Sequence, residues 1–127
     1  MQIRMMPLML GLVGAPAGAA PAEPAHVVVL SDFSFRPSQV ELRAGEPVVL
    51  EFRNVSGSGH SFAAPAFFAA ARMSATSNAQ VRNGRIEVPA HSQVDVALTP
   101  PVAGQYKFKC SHPFHALMGM TGKIVVE

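Results

Sequence analysis

Residues 106–126 read Y-K-F-K-C-S-H-P-F-H-A-L-M-G-M-T-G-K-I-V-V, and this stretch decides both fold and chemistry. Tyr106, Phe108 and Cys110 alternate with Lys107 and Lys109. That is the period of a half-buried β-strand, with the thiol at its inward end. A loop follows, and the run from Lys123 to Val126 re-enters a strand. His115 stands five residues after Cys110, and Met120 ten residues after it. One strand–loop–strand unit therefore carries a thiol, an imidazole and a thioether.

Upstream, the same period of two recurs. From His26 the chain alternates, with Val27, Val29, Ser31, Phe33 and Phe35 expected on one face. Val28, Leu30, Asp32 and Ser34 are expected on the other, and Arg36-Pro37 ends the run. Val40 and Leu42 alternate with Glu41 and Arg43, and Ala44-Gly45-Glu46-Pro47 makes a turn. Val48, Leu50 and Phe52 alternate with Val49, Glu51 and Arg53, a strand closing at Asn54. Residues 85–88, 93–98, 105–110 and 122–127 fit further strands. Asn83-Gly84, Pro89-Ala90-His91, Pro100-Pro101 and Ala103-Gly104 separate them. About seven short strands in roughly 100 residues predict an all-β fold, a Greek-key β-sandwich. The Ala-rich stretch 65–73 predicts one short helix opened by Pro65, with Phe67 and Phe68 plugging one end of the core.

The loop after the Val48–Asn54 run, Val55-Ser56-Gly57-Ser58-Gly59, ends in His60. Thiolate, imidazole and thioether are the donors that suit copper cycling between its +1 and +2 states. His60, Cys110 and His115 in a plane, with Met120 as a weak axial ligand, would make a blue-copper electron-transfer site. Met118 competes with Met120 for the axial place. His112 is read as a spectator, the alternatives being a proton-linked neighbour or a substitute ligand; His26 and His91 are read as solvated. The single Cys excludes an intrachain disulfide and a Cys-only zinc site. A Cys–His hydrolase would need an orienting Asn or Asp. Asn54 is the nearby candidate, and no nucleophile loop accompanies it.

With these residues in view, the chain resembles the cupredoxins, the small blue copper proteins that include plastocyanin, azurin and rusticyanin. The resemblance runs from about His26 to Glu127. It rests on Phe35-Arg36-Pro37, Ala44-Gly45-Glu46-Pro47, Phe52-Arg53-Asn54, His60, Gly104-Gln105-Tyr106, Cys110, His115, Met120 and Gly122 through Val126. The C-x4-H-x4-M spacing is nearest to rusticyanin-like and auracyanin-like members. The resemblance implies a cupredoxin-like sandwich holding one copper ion, and outer-sphere electron transfer without substrate chemistry, so not an enzyme. It also implies that the electron leaves through His115, with Phe114, Ala116, Leu117 and Met118 as an apolar rim for a transient redox partner. Ser61 stands where many cupredoxins carry Asn after the first His ligand, which alters the bonds available to the sulfur.

The N-terminus reads as an address. Arg4 precedes the apolar run Met5 to Val13, and small residues follow through Ala20, with Ala17-Gly18-Ala19 as a cleavage site. Residues 1–19 are expected to be a signal peptide, 20–25 a flexible lead-in and 26–127 the cupredoxin domain. The location implied is periplasmic, or otherwise exported. The apolar run falls short of the about 20 residues that span a bilayer, so the mature chain is expected to have no transmembrane segment. Only 14% of residues are charged, and the net charge is +2, which excludes a nucleic-acid binder that needs a basic stripe. A monomeric one-electron carrier with a transient redox protein partner is the expected function. The alternative is a copper-binding carrier or resistance protein that stores copper or hands it to a delivery partner. The additional His112 and Met118 would suit that role.

Overall fold

Strands that alternate apolar and polar residues bury one face each, and here two such sheets close on each other. The structure, a computed structural model, describes Gln2, residues 23–113, His115 and residues 118–127. The expected signal peptide (apart from Gln2) and the rim residues Phe114, Ala116 and Leu117 lie outside the described residues.

The first sheet is built from β1 (Ala25–Ser31), β2 (Ser34–Arg36), β4 (Val48–Asn54), β6 (Arg72–Met73) and β8 (Gln93–Thr99), in the order β2-β1-β4-β8-β6. The second holds β3 (Gln39–Leu42), β5 (His60–Ala63), β7 (Arg85–Val88), β9 (Gly104–Lys109) and β10 (Thr121–Val126), in the order β3-β10-β9-β5-β7. β1 with β4 and β10 with β3 run parallel, and the other pairs are antiparallel. The architecture is the expected mostly-β sandwich, with the short elements more finely divided than the sequence suggested.

Two of those divisions have clear causes. The run 27–35 is not one strand, because the chain reverses at Asp32-Phe33, between the partners Ser31 and Ser34. A reversal puts cross-strand partners on one face, so Leu30 and Phe35 point into the core together, with Val28. The continuous alternation had put Leu30 and Phe35 on opposite faces. Helix α1 (Pro65–Ala70) is shorter than 65–73, since Arg72 and Met73 pair with Thr99 and Leu98 at the sheet edge. A second helix, α2 (Ala75–Gln80), starts where the Ser74 hydroxyl accepts the Ser77 N–H at 3.2 Å.

The core is aromatic. Phe62 of β5 lies with its ring centroid 4.5 Å from Phe52 of the first sheet and 4.5 Å from Phe108 of its own. Phe35 meets both Phe62 and Phe108 edge-on, and Phe67 and Phe68 of α1 are buried against this group. Cys110 and Met120 close the same core at one end. Gly122 of β10 has no room for a side chain, because a Cβ would run into the Phe108 ring and the Ser38 carbonyl oxygen. Among the described residues no helix is long and apolar enough to cross a membrane.

Candidate metal centre

Asn54, at the end of β4, is the peg on which the next loop is wound. Its Nδ2 donates to the carbonyls of Ser58 (2.8 Å) and Val88 (3.0 Å). Its Oδ1 accepts from the Ser56 N–H (3.0 Å) and hydroxyl (2.8 Å). A buried carboxamide satisfied on both ends fixes the loop that delivers His60 to the start of β5. Asn54 is therefore a scaffold for the loop, and its carboxamide is engaged away from both imidazoles.

His60 is 1% exposed, and its Nδ1 faces the Nδ1 of His115 at 3.2 Å and the Sγ of Cys110 at 4.0 Å. His115 Nδ1 lies 3.3 Å from the same sulfur. The donor atoms of these three residues all lie within 4.8 Å of one another. A first-row ion with bonds of about 2.0–2.3 Å needs three donors about 3.5–4 Å apart, so the trio fits such an ion. The donor chemistry agrees: one thiol and two imidazoles converge, with no carboxylate among them.

The sulfur is held from two sides. Ser61 N–H points at it from 3.4 Å and the Ser61 hydroxyl from 3.8 Å. That hydroxyl also accepts the Ser111 N–H at 2.7 Å and lies 2.7 Å from the Ser111 hydroxyl. Ser61 thus pins the segment carrying the thiol despite its short side chain. Ser111 completes the link; its partner is 50 residues away, and nothing local in the sequence announces it. From the other side, Cys110 N–H donates to Met120 O (3.1 Å) and Met120 N–H to His115 O (3.0 Å), closing the loop. Met120 is wholly buried at this end of the core, whereas Met118 is 61% exposed. His112 turns its Nε2 to the Glu87 carboxylate at 2.8 Å, on the rim.

On the far side of His60, Nε2 lies 3.4 Å from the Asp32 carboxylate, longer than an ordinary hydrogen bond. Among the described residues no other polar atom reaches that nitrogen. Burial holds the His60 pKa below its ordinary 6.5; Asp32 opposes the shift, and His115 reinforces it. Between the two values the unfolded chain binds the extra proton, so protonation favours unfolding. The metal-free protein is therefore expected to hold this stability above pH 6.5 and to lose it as pH falls through the folded value. Urea midpoints of the metal-free protein on either side of 6.5 check this; a midpoint that rises on acidification would contradict it.

The model of the cupredoxin-like domain family matches residues 4–126. Among solved structures, dithionite-reduced auracyanin from Roseiflexus castenholzii is 16% identical, with 84% of this chain and 98% of that one covered and a TM-score of 0.62. Auracyanin B is 20% identical, with 85% and 91% covered and a TM-score of 0.62. Auracyanin A from Chloroflexus aurantiacus, described as a "blue" copper protein, is 21% identical, with 81% and 99% covered and a TM-score of 0.55. No curated protein matches the sequence. The solved structures share the sandwich, and the family pattern spans nearly the whole sequence: this chain belongs to the cupredoxin-like domain family.

Proposed function

We propose that the chain is an exported mononuclear blue copper protein that carries single electrons, with His60, Cys110, His115 and Met120 as the copper ligands. The observation that carries this reading is the convergence of two imidazole Nδ1 atoms on one buried thiol. Copper, when bound, would supply a one-electron couple, and the Met120 thioether would be the donor that tunes it. The protein's own residues do the rest. Ser61 steadies the sulfur, Asn54 fixes the loop that presents His60, and the buried core excludes water behind the site. His115 is the half-buried imidazole, and the Phe33 ring meets it edge-on at 5.4 Å. That face is where a transient redox partner would take or give the electron. Residues 1–19 would direct export to the periplasm.

Copper(II) added to the metal-free protein is expected to give one equivalent of an intense thiolate-to-copper visible band. Absence of that band would overturn the proposal. Met120→Ala is expected to keep the band, move the reduction potential, and cost about 2–5 kcal/mol of stability through the cavity left in the core. Voltammetry and thermal melts read both effects. A copper-delivery role is favoured by one observation, the exposed thioether of Met118, whose backbone N–H bonds the His115 carbonyl at 3.1 Å. Competition with a copper(I) chelator separates the two roles: a carrier of electrons retains the ion, and a donor of copper releases it.

A further inference from the structure

The Asp32-Phe33 reversal between β1 and β2 reaches across to both imidazoles. Phe33 has a φ of 61°. A bulky residue there costs on the order of 1–3 kcal/mol and persists only where surrounding contacts over-determine it. Those contacts are visible. The Phe33 ring stands edge-on to His115, with centroids 5.4 Å apart and planes at 78°. The Asp32 Oδ1 accepts the Ser58 hydroxyl at 3.1 Å, and the same oxygen lies 3.4 Å from His60 Nε2. That nitrogen is buried and has no hydrogen-bond partner among the described residues.

On the reading above, we propose that Asp32 is a positioning residue for the metal site. It holds the His60 ring with the proton on Nε2, leaving Nδ1 free to ligate, and its charge favours the more highly charged oxidation state of the copper. Two physical arguments support this. A buried N–H without an acceptor costs about 1–3 kcal/mol, and among the described residues the Asp32 carboxylate is the acceptor that approaches it, at 3.4 Å. A carboxylate behind a ligating imidazole raises the basicity of that ligand and fixes its tautomer. The Asp32 side chain is 66% exposed, so water and salt screen its charge and the effect is moderate. Ser58 matters here because its hydroxyl tethers the carboxylate that would otherwise swing into solvent. The sequence hides the device: Asp32 and Phe33 sit in what reads as an unbroken alternation, with no Gly or Asn to mark a turn.

The test compares copper-loaded wild type, Asp32→Asn and Asp95→Asn by voltammetry and absorption. Asp95 is an exposed carboxylate on the outer face of β8 and serves as the charge control. Asp32→Asn is expected to keep the visible band and to raise the potential. The shift should reach at least a threefold change in relative affinity for the two oxidation states, about 28 mV at 59 mV per decade. Asp95→Asn is expected to leave the potential where it was. A smaller shift in Asp32→Asn, or an equal one in Asp95→Asn, overturns the inference. Should Asp32→Asn fail to fold, Ser58→Ala replaces it, with a rise in potential expected and an unmoved potential fatal. A wild type that shows no thiolate band would instead refute the copper reading itself, so the two failures are distinguishable.

Discussion

Replacing Cys110 with Ser is expected to abolish the visible thiolate band of the copper-loaded protein outright. The thiol is the chain's one sulfhydryl, is 1% exposed, and is the atom on which both Nδ1 donors converge. Serine keeps nearly the same shape and can still meet the Ser61 N–H, so the fold has little reason to change. Its hydroxyl, however, is a hard donor that does not ionise near neutral pH, and it offers copper no thiolate charge transfer. Copper affinity is expected to fall by more than the about 10–100-fold that loss of an outer partner costs. Absorption titration and chelator competition read the two losses together. A Cys110→Ser variant that kept the band would remove Cys110 from the site.

Gly122→Ala is expected to be the most damaging of the small substitutions. Gly122 lies on β10 opposite Phe108 of β9, and β3 flanks the same strand on its other side. An added Cβ would meet the buried Phe108 ring and, worse, the backbone oxygen of Ser38, which cannot rotate away. Overpacking of this kind costs about 3 kcal/mol. That corresponds to a loss of roughly 12–24 °C in Tm for a domain of this size, at about 4–8 °C per kcal/mol. Gly45→Ala supplies the contrast. Its φ of +75° makes alanine strained, but nothing lies within 4 Å, so the expected cost is only about 1 kcal/mol. Equal melting temperatures for the two variants would show that the β3–β10–β9 seam is looser than its packing indicates.

How much of this was readable from the chain depends on how local each signal is. The alternation Tyr106-Phe108-Cys110 is local, and β9 ends where the sequence places its end, give or take a residue. The five- and ten-residue steps to His115 and Met120 are local too. The place of His60 was legible only through donor chemistry, since 50 residues separate it from the sulfur it faces. What stayed hidden were features whose cause is tertiary. The Asp32-Phe33 reversal is easily missed in the letters, because the residue at positive φ is a phenylalanine and the contacts around it, His115 against Phe33 and Ser58 against Asp32, are tertiary. Helix α2 has one local mark, the Ser74 cap, and buries only Ser77, so no apolar stripe announces it. The Ser61–Ser111 link joins two ordinary hydroxyls, each unremarkable until the strands bring them together.

Among the described residues no strand inside either sheet is shorter than the outermost strands of that sheet. β2, β6, β3 and β7 run for three, two, four and four residues, while every strand of six or seven lies inside a sheet. Open backbone at a margin is what lets one molecule zip onto another, and stubs of this length offer too few rungs for that. A chain with so little charge therefore gains from its margins a guard against clumping when many copies crowd together.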